Sequence, residues 1–521
     1  MYFAAGSVAA VLGKHDEAAA HYRKALELRP GFAEAHLNLG NVLYEEGDFA
    51  GAAASYRQSI AANPDYVKAH CNLGNALSSL GRLHEAIACY ERALRLDADT
   101  VAAQHNLGNA LMERRDIVRA EACFRRAVEL DPSRAEHHNS LGNALLQRKN
   151  TAKAEECYRR ALALRPEYAS AHVNLANALM KLGNIDEMLE HYERGIALDP
   201  QSAGAHYNLS LSHLRKGQFR EGWEGHEWRW DFRELQLRKR NFASPQWQGE
   251  PLAGMTILLH AEQGLGDTLQ FVRYAPLVVE RGGRVILEVQ PSLHRLLRNV
   301  RGVECVIPRG EALPEFDVQC PLMSLPLVFD TAEDTIPADV PYLAVPDEVV
   351  EQARNRWLGD GLRVGLVWAG NPQYRSDEAR STTLRSLLPL TGIPRITFFS
   401  MQKGVGSEQL AQIGSEARIM DAGSSFKDFQ DTATMMSTLD LVISVDTSSA
   451  HLAGALGIPV WILLPHLACW RWLEGRGDSP WYPTARLFRQ SVPGDWGELV
   501  ERVSGELQGM AVKAGAPGSR S

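Results

Sequence analysis

The chain has 521 residues, 45% of them apolar and 23% charged, with a formal net charge of −8. That composition excludes wholesale disorder, and the acidic balance argues against a general electrostatic binder of nucleic acid. Seven scattered cysteines without a C-x-x-C pair argue against a disulfide framework or structural zinc, and no run near 18 apolar residues or secretory leader is present, so a cytoplasmic protein without a membrane span is expected.

From the N-terminus the chain repeats itself. Leu39, Leu73, Leu107, Leu141, Leu175 and Leu209 are spaced by 34 positions, each followed by a small residue: Gly40, Gly74, Gly108, Gly142, Ala176 and Ser210. An aromatic keeps the same period at Tyr22, Tyr56, Tyr90, Phe124, Tyr158 and Tyr192, and Pro30, Pro64, Pro132, Pro166 and Pro200 close the units, Ala98 breaking the series. This pattern resembles the tetratricopeptide repeat and predicts an α-solenoid of antiparallel helix pairs. The small residue lets the paired helix approach, the aromatic fills the gap between neighbouring repeats, and proline stops the second helix. Five full repeats are expected between about residues 33 and 202, with partial ones on either side. Gly6 already occupies the small-residue position, so the chain starts inside a repeat.

Asn38, Asn72, Asn106, Asn174 and Asn208 recur at one position of the first helix, and Asn41, Asn75, Asn109, Asn143 and Asn177 three residues later. Residues at i and i+3 share a helix face, so these amides form a ladder able to bind an extended backbone. The ladder resembles that of O-GlcNAc transferase. The other reading, strongest for the second series, is that they bridge adjacent helices. Cys89, Cys123 and Cys157 share a repeat position and are read as packing residues. Asp97-Ala98-Asp99, a D-x-D at a repeat junction, is read as a turn and not as a metal site.

The period stops near residue 217. Gly222-Trp223-Glu224-Gly225-His226-Glu227-Trp228-Arg229-Trp230 is read as a capping helix packed through its rings, followed by a linker to residue 250. From Met255 short apolar runs alternate with helical stretches. Strands are predicted at Thr256–His260, Arg284–Val289, Glu304–Ile307 and Phe316–Val318, then at Val364–Trp368, Ile396–Ser400, Leu439–Val445 and Val460–Leu464. Such patterning implies two Rossmann-like parallel sheets, spanning 251–350 and 351–506 and facing across a cleft. A tail over 507–521, rich in Gly, Ala and Ser, is expected to be disordered.

Ligands of open parallel sheets lie at the carboxyl ends of strands. The first strand enters Gln263-Gly264-Leu265-Gly266-Asp267, with a helix expected from about Leu269. Asp267 is either a base for an acceptor hydroxyl or a helix cap, and spacing alone does not choose. Asp446-Thr447-Ser448-Ser449-Ala450-His451 reads as a turn into a short helix whose N-terminus suits a diphosphate. A loop from Gly370 and Asn371 through Asp377, Arg380 and Ser381 carries charge for phosphate or sugar. The ring-rich Trp470-Arg471-Trp472 and Trp481-Tyr482 are a ligand wall or a domain interface.

Together these segments resemble glycosyltransferase family 9, the heptosyltransferases acting on lipopolysaccharide, in the branch fused to tetratricopeptide repeats. The resemblance spans residues 255 to about 505 and is most specific at Gly266-Asp267 and Asp446-Thr447-x-x-x-His451. It implies a GT-B fold with the acceptor, near Gln263 and Gly266, on the first Rossmann domain. The nucleotide sugar would lie on the second, against Asp446, Thr447, Ser448, His451, Gly370 and Asn371, with Gln402 near the base. Asp267 falls on the family's proposed catalytic base. The family has a small residue where this chain has Ser448, and a lysine in a loop where this chain has none between Val364 and Ile396, leaving Arg380 to substitute. The implied function is inverting, metal-independent sugar transfer from a nucleotide-sugar donor. The acceptor is a macromolecule, a protein held by the asparagine ladder or a glycolipid. Beyond the co-substrate no cofactor is expected. Two alternatives stand beside it: an O-GlcNAc-transferase-like enzyme acting on Ser or Thr, and a scaffold without activity.

Overall fold

The computed structural model describes residues 1–373 and 377–514 and divides into two compact units, Met1–Ser202 and Ala203 onward. In the first unit helices of 13 and 14 residues alternate, as in Ala33–Glu45 with Phe49–Ala62 and Val67–Ser79 with Leu83–Leu96. The pairing has a steric cause. A Cβ built on Gly40, Gly74, Gly108 or Gly142 would lie 2.5 Å from the aromatic ring sixteen residues later. Only a bare Cα lets the helices close to that distance. The aromatic therefore seats against the first helix of its own repeat, and Tyr56 also meets Asn72 of the next one, in line with the expected place between neighbouring repeats. A second recurring contact joins each first helix to the preceding turn. His36, His70, His138 and His172 place Nε2 2.8–2.9 Å from the carbonyls of Pro30, Pro64, Pro132 and Pro166. Gln104 does the same to Ala98, at 3.2 Å, so the missing proline leaves the junction intact. Asp97 accepts from the Asp99 N–H at 3.1 Å, making that segment a turn.

The second unit opens with the helices Ala203–Arg215 and Phe219–His226. Sequence period assigns the first of these to the array, with a boundary at 217, and in packing it joins the compact unit that begins at Ala203. The cause is a shared aromatic core. Trp223 is buried and donates its indole N–H to the Thr331 carbonyl at 3.0 Å, and its ring stands edge-on to Trp470, 5.3 Å away. The rings of the 222–230 segment thus pack, as expected.

Among the described residues two parallel sheets follow. The first holds β1 (Thr256–His260), β2 (Arg284–Val289), β3 (Val303–Pro308) and β4 (Val318–Pro321) in the order 3-2-1-4. The second holds β5 (Leu362–Val367), β6 (Ile396–Ser400), β7 (Ile419–Asp421), β8 (Leu441–Val445), β9 (Val460–Leu464) and β10 (Ala485–Arg489) in the order 10-9-8-5-6-7. Strands β1, β8 and β9 are buried at every residue, as expected of strands covered on both faces. Strand β4 begins two residues later than predicted, because Phe316 turns out of the sheet to pack edge-on against Phe242 at 5.5 Å. The expected disordered tail is helical as far as the description reaches. Trp496–Ala514 lays Leu499, Val500, Val503, Leu507 and Ala511 on the second sheet, a helical spacing that buries one stripe. Residues 515–521 lie outside the described residues.

The strand orders locate the site. In the first sheet the strand order reverses between β1 and β4, and in the second between β5 and β8. Ligands of open parallel sheets bind outside such switch points. The loops following β1, β5 and β8 carry the sequence-predicted residues of this region except Gln402, which follows β6.

Candidate active site

The helix after β1 starts at Leu265, not near Leu269, because Gly264 is its N-cap. Asp267 consequently sits in its first turn. Oδ2 accepts the Gly264 N–H at 2.8 Å, which is the capping role. Oδ1 faces out of the turn and pairs with the Arg471 guanidinium. Both carboxylate oxygens are engaged, and the side chain is only 19% exposed.

Arg471 stands between two tryptophans on the turn Trp470–Trp472. Its Nε donates to Gln270 Oε1 at 2.8 Å, Nη1 meets Cys469 Sγ at 3.1 Å, and the guanidinium lies 4.3 Å from the Trp470 ring centre. Burial works against the charge, but Asp267, Cys469 and Asp446 hold the guanidinium above its ordinary value, so it stays charged.

The turn after β8 reaches the same place. Thr447 is the N-cap of the helix Ser448–Ala455, whose first N–H groups lack intrahelical partners. Gly266 lies against this helix: a Cβ there would come within 2.9 Å of His451 and 3.6 Å of the Ser448 Cα. Asp446 is buried, which raises its carboxyl, while Arg380 and Arg471 oppose the rise. His451 is held well below its usual range by burial and by Arg471, Arg273 and Arg380. Its Nδ1 is 2.9 Å from the Tyr482 hydroxyl and its ring stacks on Trp472 at 5.3 Å. It is a neutral packing and hydrogen-bonding group, not a cation.

The loop after β5 closes on itself. Arg380 Nε pairs with Asp377 at 3.0 Å, and the Ser381 hydroxyl bridges Asp377 and the Gly370 N–H. A Cβ on Gly370 would strike Asp377 at 2.3 Å, so glycine is what lets this pair tuck under the loop. Asn371 turns back on the Gln373 N–H at 3.0 Å, and residues 374–376 of this loop lie outside the described residues. Gln402 corrects the sequence reading. Its amide oxygen accepts from the Trp368 and Ala369 N–H groups and its nitrogen donates to the Ala369 and Val405 carbonyls. All of its hydrogen-bonding capacity is spent shaping the loop, leaving none for a ligand. Gln263 is held beside the site by Gln290, which donates to its carbonyl at 2.9 Å.

In the first unit the two asparagine series divide the work. Asn41, Asn75, Asn143 and Asn177 each accept a tyrosine hydroxyl from their own repeat, at 2.6–2.9 Å. Asn72 and Asn106 donate to Asn41 and Asn75 at 2.8 Å, while Asn174 donates to Asn139 at 3.0 Å. The bridging reading therefore holds for Asn41, Asn75, Asn143 and Asn177, and Asn72 and Asn106 are tied to that series. Asn38 is half-buried at the same position, and Asn208 falls in the second unit.

Tetratricopeptide-repeat patterns match residues 3–67, 105–169, 139–202 and 173–221, with others over 74–114 and 55–88. Roughly the first 220 residues are tetratricopeptide repeats. Among curated proteins the chain is similar to Protein FlbA of Caulobacter vibrioides, 27% identical over 316 residues, covering 56% of this chain and 52% of that protein. The chain thus spans about half the length of that relative. Among solved structures it is similar to YrrB, described as a tetratricopeptide-repeat protein with an unusual peptide-binding site. The identity there is 23% and the TM-score 0.33, over 36% of this chain and 98% of that one. It is also similar to Pseudomonas aeruginosa pilF, at 22% and 0.34, over 39% and 91%. Among the described residues no helix is long and apolar enough to cross a membrane.

The tetratricopeptide cysteines behave as packing groups: burial pushes the Cys89 and Cys157 thiols up to about 11. Beyond the repeats, the residues sequence reasoning passed over are mostly arginines and their partners. Arg273 is buried, donates to the carbonyls of Gln270 and Trp481 and to the Tyr342 hydroxyl, and so ties the two sheets together. Arg229, fully buried, pairs with Glu262 at 2.9 Å and with Glu227, just upstream of the Gly264 turn. Burial pushes the Glu262 carboxyl up to about 7 although Arg229 pulls it down. For Arg229 and Arg471 the only sequence signal was their place between two tryptophans, where a guanidinium stacks as readily as an indole.

Proposed function

We infer that the protein is an inverting glycosyltransferase of GT-B type, moving a sugar from a nucleotide-sugar donor to a protein acceptor presented by its repeats. One observation carries the reading. The carboxylate turn after β1 and the helix start after β8 lie in contact through Gly266 and His451, at the switch points of two parallel sheets. That juxtaposition supports reading Asp267 as a base and the Ser448 helix N-terminus as the anion site beside it. Asp267 takes the proton of the acceptor hydroxyl as its oxygen attacks the anomeric carbon. The sugar–phosphate bond breaks with its electron pair leaving on the diphosphate, which the 448–451 turn and Arg380 stabilise. The tetratricopeptide repeats, a fold that presents a groove to peptides, favour a polypeptide over a glycolipid as acceptor.

The test is calorimetric titration of the full chain with ADP, GDP, UDP and their common sugar conjugates. Binding of one nucleotide, lost in Asp446→Ala, is the expected result. Binding of none would leave the chain as a repeat scaffold.

A further inference from the structure

Arg471 is placed for more than one partner. It is the cation nearest Asp267, it is only 12% exposed, and it comes from the second sheet domain while Asp267 comes from the first. Its bonds are unequal. Asp267 and Gln270 are oxygen acceptors, but Nη1 is left with the Cys469 sulfur, a weak acceptor that a phosphate oxygen would outcompete. Next to it the Gln270 amide nitrogen is fully buried and has no acceptor among the described residues. A guanidinium with one poor partner and an amide with none lie together at Asp267 and Gln270, on the helix whose Gly266 contacts the helix start at Ser448.

We propose that Arg471 is a switch residue: a donor diphosphate at the 448–451 turn draws its guanidinium off Asp267, and this exchange frees the carboxylate oxygen that receives the acceptor proton. The idea rests on the transferase reading and adds an order of events to it. Without donor, Oδ2 accepts the Gly264 N–H and Oδ1 is paired with the Arg471 cation, which lowers the basicity of the oxygen that an acceptor hydroxyl would meet. With donor bound, the diphosphate supplies stronger charge-assisted acceptors for Arg471 and the Gln270 amide. Oδ1 then opens towards the acceptor. The carboxylate is ready only when a leaving group is in place, which protects a donor-free enzyme from unproductive acceptor binding at the carboxylate.

Sharing one cation between two anions has a thermodynamic signature, because coupling between the two must be reciprocal. Removing the charge of Asp267 releases Arg471 and has to strengthen diphosphate binding. The experiment titrates ADP, GDP and UDP into the full-length wild type, Asp267→Asn, Arg471→Met and the double variant. For the nucleotide that wild type binds, Asp267→Asn is expected to bind about five- to tenfold tighter and Arg471→Met at least about tenfold weaker. In the double variant the gain from Asp267→Asn should vanish. An unchanged or weaker Kd in Asp267→Asn, or a gain that survives in the double variant, overturns the switch while leaving the transferase reading in place. If wild type binds none of the three nucleotides, both readings fall together. Should Arg471→Met fail to fold, Arg471→Gln, alone and with Asp267→Asn, supplies the same cycle.

Discussion

The repeats and the two-sheet region hold themselves together by opposite strategies. In the repeats one steric fit recurs: a glycine Cα against an aromatic ring, at 2.5 Å for an added Cβ in four successive units. In the two-sheet region the decisive contacts are single events between residues distant in sequence, many of them buried charges: Arg229 with Glu262, Arg273 with the Trp481 carbonyl, Arg471 with Asp267. A repeated apolar contact spreads a substitution's cost over neighbours that still work. A unique buried ion pair has no such reserve. The two regions should therefore respond to mutation on different scales.

Arg229→Met is expected to give the largest loss, about 3 kcal/mol at pH 8, because it strands the Glu262 carboxylate in a buried site. The loss should depend on pH. Glu262 already lies at about 7 in the folded chain, above its unfolded value, so folding keeps a proton that the unfolded chain gives up. Stability from this group is present at low pH and falls as pH rises towards 7. Without Arg229 the carboxyl moves higher still and the fall extends past pH 7. Urea unfolding of both proteins at pH 6 and pH 8 measures this. An equal loss at the two pH values would show that packing, not charge, is what Arg229 provides.

That contrast also governs what the sequence disclosed. The repeats announced themselves because one physical requirement, a bare Cα facing a ring, recurs every 34 residues. The central strands were equally plain, since burial on both faces demands continuous apolar runs. Strands β7 and β10 went unread, and both lie at sheet edges, where Asp421 and Arg486 are tolerated because one side is open. Asp267, Asp446 and His451 were legible as turn residues, but nothing local showed that Arg471 would reach back across 204 positions to Asp267. Gln402 misled for a related reason: a polar residue after a strand serves a loop as readily as a ligand, and only its four bonds to backbone decide.

Within the repeats, Gly142→Ala should cost about 1–2 kcal/mol. Helix propensity favours alanine by about 1 kcal/mol, but the new methyl would meet the Tyr158 ring at 2.5 Å, and overpacking of that kind costs about 1–3 kcal/mol. A raised unfolding midpoint would mean the ring yields and the fit is looser than the distance implies.

His105 sharpens the comparison on the array side. Its Nδ1 is 3.0 Å from that of His137, and burial, then the neighbouring His137, lowers it to about 4. The unfolded chain takes up a proton near pH 6.5 that the folded repeat refuses, so stability drops as pH falls from about 6.5 towards 4, the reverse of the Glu262 effect. Between pH 7 and pH 5 the wild type should lose about 1 kcal/mol more than His105→Asn. Thermal unfolding at the two pH values checks it, and equal losses would remove His105 from the account.

The smallest expected effect tests whether the amide series is built to hold its tyrosines. Four repeats pair an asparagine with a tyrosine hydroxyl, but the repeat containing Asn109 has Phe124 at the ring position. Asn109 is accordingly exposed, whereas Asn75, which accepts from Tyr90 at 2.8 Å, is partly covered. Phe124→Tyr places a hydroxyl where the other repeats have one and is expected to stabilise by about 0.5–1 kcal/mol, the net worth of one hydrogen bond. Tyr90→Phe should lose about 1 kcal/mol, because it removes the donor and leaves the half-buried Asn75 oxygen with one partner fewer. If Phe124→Tyr is neutral while Tyr90→Phe is costly, the hydroxyl matters only where Asn75 and Asn106 already form a bridge between repeats. The amide series would then belong to the stacking of the array. A gain in Phe124→Tyr would instead show that the amide holds a tyrosine hydroxyl wherever one is offered, with or without a bridge to the next repeat.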